Sequence, residues 1–176
     1  MVNRIIRAAN LGMVMAIMLL LSGISCGKSA SESASGTPGS VFLNPKSQTA
    51  KPAGQIKMNV EVVPAGWGVS AAEVRVSFDP TKLEAVSVQA GDALGQKPIQ
   101  GVLKIDNAQG TIIYALARVG ETPTPGVKGV LANLEFRAKS GATGTVKIDL
   151  TKVGLTNENF EEIIGVKYDG AVIVFP

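Results

Sequence analysis

Val74-Arg75-Val76-Ser77-Phe78-Asp79-Pro80-Thr81-Lys82-Leu83-Glu84-Ala85-Val86-Ser87-Val88 is the stretch whose reading decides the fold. Val74, Val76 and Phe78 alternate with Arg75 and Ser77, so an extended backbone sends the apolar set to one face and the polar set to the other. Asp79-Pro80-Thr81-Lys82 then stops the run. An aspartate can accept hydrogen bonds from the backbone just after it, and proline presets φ for the next position of a turn. Leu83 opens a second valine-rich run, giving strand, tight turn, strand.

The same pattern extends in both directions. Ile56, Met58, Val60 and Val62 oppose Lys57, Asn59 and Glu61; Val130, Ala132, Leu134 and Phe136 oppose Asn133, Glu135 and Arg137; Val146, Ile148 and Leu150 oppose Lys147 and Asp149. Ile112-Ile113-Tyr114-Ala115-Leu116-Ala117 is apolar on both faces, which predicts a central strand with protein on each side and Tyr114 in the core. Asn107-Ala108-Gln109-Gly110 and Ser140-Gly141-Ala142-Thr143-Gly144 are expected to close hairpins, and Asp169-Gly170 to turn with glycine at positive φ. Helix is limited to a turn or two between Asn157 and Ile163. Gly and Pro number 20 and 9, and charged residues make up only 18%. The expectation is one all-β domain over residues 41–176, an antiparallel jelly-roll sandwich of about nine strands.

The N-terminus has a different character. Met1 to Arg7 carries Arg4 and Arg7, and Ala8 to Ser25 carries no charge, the layout of an export signal. It ends in Leu21-Ser22-Gly23-Ile24-Ser25-Cys26-Gly27, which resembles the bacterial lipobox. That resemblance implies removal of residues 1–25 and acylation of Cys26, although Gly23 stands where the motif usually has leucine. An ordinary signal peptide and an uncleaved membrane helix remain open, since the uncharged run approaches the roughly 20 residues that span a bilayer. Residues 26–40 then read as the lipidated cysteine and a flexible Ser/Gly/Ala linker. The expected location is the cell envelope, tethered to the outer face of a membrane.

From Val41 to Phe175 the sequence resembles a cohesin, the scaffold module that captures dockerins in bacterial cellulosomes and is related in fold to certain carbohydrate-binding modules. The resemblance rests on Gly54-Gln55-Ile56-Lys57-Met58-Asn59-Val60, on the Val74 to Val88 stretch with its aromatic-Asp-Pro turn, on Gly91, and on Tyr168-Asp169-Gly170-Ala171-Val172-Ile173-Val174. It implies a jelly roll that docks a dockerin-like protein. Dockerin-binding members expose an Asn-x-Asp pair before the Asp-Pro turn. Ala71-Ala72-Glu73 stand there in this chain, so Glu73 can supply the acid while the asparagine is lost.

Catalysis is disfavoured by composition. The chain has no histidine, the commonest general base and metal ligand, and its only cysteine, Cys26, is assigned to the anchor. Carboxylate-only glycoside hydrolysis needs just two acids, but Asp79, Asp106 and Asp169 are better explained as turn formers. Calcium at Asn157, Asn159 and Glu161 lacks EF-hand spacing, so no metal and no cofactor are expected. Removing Arg4 and Arg7 from the 17 basic residues leaves 15 against 14 acidic ones, which argues against a nucleic-acid partner. The candidate partner-binding face is Glu73, Arg75 and Ser77. The alternative partner, a polysaccharide, would stack on Trp67.

Overall fold

The computed structural model describes residues 39–66, 68–120 and 126–176. Cys26, residues 26–38 of the linker and Trp67 lie outside the described residues. Eleven strands form two sheets: β1 (Ser40–Asn44), β2 (Ser47–Thr49), β3 (Gln55–Val63), β4 (Val69–Phe78), β5 (Leu83–Ala90), β6 (Ile99–Asp106), β7 (Thr111–Ala117), β8 (Gly129–Ala138), β9 (Gly144–Asn157), β10 (Lys167–Asp169) and β11 (Ala171–Phe175). The five-stranded sheet runs β10-β1-β3-β8-β5 and the six-stranded sheet β2-β11-β9-β4-β7-β6. This is the expected all-β sandwich, with two strands more than expected. It is mixed rather than purely antiparallel, because β1 pairs with β10, and β2 with β11, in parallel.

The alternating residues supply the core. Ile56, Met58, Val60 and Val62 from one sheet and Val74, Val76, Phe78, Ile148 and Leu150 from the other are buried between the layers. Phe78 and Phe136 meet across the interface edge to face, ring centroids 5.3 Å apart, the geometry aromatic quadrupoles favour. Tyr114 is buried as expected, and burial raises its phenol pKa above the ordinary value. Val130 is a correction. A bulge sets Ala132 opposite Val60 but Val130 opposite Glu61, so the intervening Leu131 is the residue wholly buried and Val130 is only half-buried.

Three connections depart from expectation. Residues 107–110 do close a hairpin, with Gly110 at φ 65°. Residues 140–143 do not, because β8 and β9 belong to different sheets. Asp169-Gly170 is likewise a crossing from one sheet to the other, and Gly170 is needed for space: a Cβ there would lie 2.4 Å from the Ile148 carbonyl oxygen. Asn157 to Ile163 forms no helix. The Asn157 side-chain oxygen accepts from the Asn159 and Glu161 N–H groups, and the loop folds back through a bridge between Thr156 and Glu162.

The registers give the sandwich two distinct ends. At one, β1 begins, β3, β5, β7 and β9 finish, and β4, β6, β8 and β10 start, so residues 64–66, 91–98, 118–120, 126–128 and 158–166 gather there beside Ser40. Glu61 fastens part of this end. Its buried carboxylate lies 2.6 Å from Lys128 Nζ and accepts from Asn44 Nδ2 at 2.6 Å, contacts that hold its pKa below the ordinary range against the opposing effect of burial. At the other end stand the tight turns, including 79–82, where Asp79 accepts from the Thr81 N–H and hydroxyl.

Gly91 sits where β5 hands over to its loop, and a Cβ there would lie 2.1 Å from the Val130 carbonyl oxygen. Gly91→Ala is therefore expected to lower unfolding stability by about 2 kcal/mol. Gly141→Ala, with open space around it and no positive φ, should be near neutral; urea denaturation of the two variants checks the contrast.

A candidate docking face on the six-stranded sheet

The side of β4 that turns away from the core carries Ala71, Glu73, Arg75 and Ser77, since Ala72, Val74, Val76 and Phe78 are claimed by the interior. Register fixes their neighbours. Glu73 lies between Gly154 of β9 and Ala115 of β7, and Ala115 in turn lies opposite Val102 of β6; Arg75 lies between Lys152 and Ile113, with Lys104 beyond. Ser77 lies between Asp149 and Thr111.

Glu73 and Arg75 are brought together as read from the sequence. Arg75 Nε donates to Glu73 Oε1 at 2.9 Å, and Lys152 Nζ approaches the same oxygen at 3.5 Å. The guanidinium bond first, then the charges of Lys152 and Arg75, hold the Glu73 carboxyl below its ordinary range, while partial burial pulls the other way. The cluster is a half-exposed acid fixed in direction by two cations. Ser77 shares the face but stands one register step from the cluster.

Sequence reading missed Lys152. Alternation along β9 sends Lys147, Asp149 and Thr151 outward and would turn Lys152 in. A bulge opposite Arg75 and Val76 inserts Thr151 as an extra residue, so Lys152 also faces out. The face also includes an apolar sector that no single run announces. Ala71, Ala117 and Ile99 stand in one register row, Ala115 and Val102 in the next, and Val102 is 47% exposed. Here the expectation that β7 is covered on both sides fails. Ile112, Tyr114 and Leu116 are buried, but Ile113, Ala115 and Ala117 are only half-covered, because nothing among the described residues packs on that side.

The opposite outer face, on the five-stranded sheet, holds a shallow groove of about 250 Å³ lined by Lys57, Asn59, Ser87, Gln89, Asn133 and Glu135 over Met58 and Leu134. It has no aromatic wall for sugar stacking. Among the described residues no cluster of acidic side chains could hold a metal ion, and the Asn157 carboxamide is committed to its own loop, donating to Glu161 Oε2 as well.

The cohesin-domain sequence model matches residues 41–174, the whole sandwich from β1 to β11. The chain belongs to the cohesin family. Solved structures share the fold: the seventh ScaB type I cohesin from Pseudobacteroides cellulosolvens superposes with a TM-score of 0.65 at 21% identity, covering 79% of this chain and 92% of that one. The sixth cohesin of Acetivibrio cellulolyticus scaffoldin B, crystallised with a Cel5 dockerin mutant, gives 0.65 at 19%, covering 80% and 100%. A non-cellulosomal cohesin from the archaeon Archaeoglobus fulgidus gives 0.62 at 14%, covering 80% and 92%. A search of curated protein sequences finds no match.

Arg75 is the first cause of the low Glu73 pKa, so Arg75→Ala should raise the Glu73 titration midpoint more than Lys152→Ala does. Carboxyl chemical shifts followed by NMR from neutral to acid pH measure both.

Proposed function

We propose that this cohesin is a non-catalytic docking module that binds a dockerin-like protein through the outer face of its six-stranded sheet. The observation that carries the reading is the Glu73, Arg75 and Lys152 cluster, oriented in advance and set beside the apolar sector of Ala115, Ile113 and Val102. A small apolar platform flanked by fixed charges suits a protein interface, where desolvated contacts supply affinity and charges supply register. Two of the solved relatives are seen in the relevant company: the Acetivibrio cellulolyticus cohesin with a Cel5 dockerin, and a Clostridium thermocellum cohesin, Coh-OlpC, with Doc435. Glu73 takes the place of the acid those partners would meet in the usual Asn-x-Asp pair, so the dockerin recognised here has to dispense with the asparagine.

Glu61, Glu73 and Asp79 are each held below the ordinary range, so none of these three is poised as the acid of a glycoside hydrolase, which has to be held above it. The module is exported and anchored in this reading, with Cys26 acylated and the following linker holding the domain at the membrane.

Two experiments test the proposal. Titration calorimetry of the domain against the dockerin modules of the producing organism should find at least one binder, and Glu73→Lys should weaken it by at least about tenfold; binding by none, or binding indifferent to Glu73 and Val102, removes the assigned face. Cys26→Ser should leave the precursor at full length and without incorporated fatty acid. Normal processing of that variant would refute acylation.

A further inference from the structure

Exposed apolar side chains are ordinary when scattered, but here they are gathered. The five most exposed large hydrophobic residues among those described are Phe160 (83%), Ile164 (68%), Val127 (67%), Ile99 (60%) and Val119 (57%). All five stand at one end of the sandwich. Val119 and Val127 belong to the β7–β8 loop, Phe160 and Ile164 to the β9–β10 loop, and Ile99 opens β6. The opposite end, with as many connections, presents turns built on Asp79, Asn107 and Gly144 instead.

Phe160 is held outward. Its backbone lies at φ 64°, a region bulky residues avoid, and its N–H donates to the Asn157 carbonyl oxygen within the loop that the Asn157 side chain braces. The ring is displayed by a tightly bonded loop. Such strain persists only where surrounding bonds impose it, and it concentrates at functional positions.

The same end receives the N-terminal chain. Ser40 is registered with Val63 and Lys167, and the sequence preceding it leads back through the linker to Cys26. From Gly27 to Gly39 a chain reaches at most about 45 Å. An anchor at Cys26 therefore attaches the domain at this end and not at the turn end.

We propose that the loop end is a lipid-contacting surface: Phe160, Ile164, Val127 and Val119 rest in the headgroup boundary of the membrane that holds the anchor, with Ile99 at the border between this end and the docking face. This extends the anchored reading above and rests on it for its biological setting. Lys97, Arg118 and Lys128 are outnumbered in these loops by Asp92, Glu121, Glu158, Glu161 and Glu162, so no net positive charge draws the end to anionic lipid; the contact is apolar, favours zwitterionic lipid and resists added salt. With that end on the bilayer the strands stand upright, and the docking face looks sideways along the cell surface, open to a partner.

The test separates contact from acylation by supplying the tether artificially. The Gly39 to Pro176 domain contains the entire core, Val41 to Phe175. Given an N-terminal polyhistidine tag, it is held on phosphatidylcholine vesicles through a nickel-chelating lipid and, in parallel, on lipid-free nickel beads. Amide hydrogen exchange in residues 118–128 and 158–166 should slow by about tenfold on vesicles alone, with residues 79–82 and 107–110 unchanged. Phe160→Ala combined with Ile164→Ala should abolish that protection without moving the melting temperature. Equal exchange on vesicles and beads overturns the lipid contact, as does equal protection on both supports, which would mean pairing between copies. Mass analysis of the native mature N-terminus scores Cys26 independently, so a missing acyl chain and a missing lipid contact are told apart.

Discussion

Each sheet of this molecule has only the other sheet to cover it. Among the described residues there is no helix, so each sheet must present an apolar side to the other, and the two apolar sides must close on each other at the spacing that Phe78 and Phe136 set. Four surfaces are left over by this arrangement: two outer sheet faces, a rim of loops and a rim of tight turns. The docking face, the amide-lined groove and the loop end are three of those leftovers, and the core has no part in their chemistry. A hydrophobic sandwich can thus be kept while its outer rows change, which is how a chain 14 to 21% identical to its solved relatives retains their fold.

Period-two alternation made the long strands legible. β3, β4, β8 and β9 each repeat their apolar set often enough to define a face, and the Asp79-Pro80 turn names its own chemistry. Where the sequence was silent, the cause is identifiable. β2 and β10 have three residues each, too few to show a period. The bulges beside Glu61 and Arg75 change parity within a strand, which exchanged Val130 for Leu131 in the core and turned Lys152 outward. Gly170 and the 140–143 connection carry ordinary turn residues although they lead between sheets, because local chemistry records a bend and not its destination.

The site was half legible for the same reason. Glu73 and Arg75 are two apart on one strand, so alternation alone puts them together. Lys152, Ile113 and Val102 reach them through pairing with β9, β7 and β6, and such pairing is set by the whole fold. Trp67 and Cys26 belong to stretches outside the described residues, and their assigned roles rest on sequence.

The two parallel strand pairs carry a kinetic consequence. Ser40 meets Lys167, and Ser47 meets Val172, so the first and last strands of the domain complete one another's sheets. A chain made from its N-terminus cannot close this sandwich partway. β1 and β2 wait with open edges until the final residues arrive, and contacts so distant in sequence are slow to form. Until synthesis ends, a nascent cohesin of this kind exposes one free edge of β1, already paired with β3 on its other side, and the whole of β2, the open edges on which another extended segment can pair.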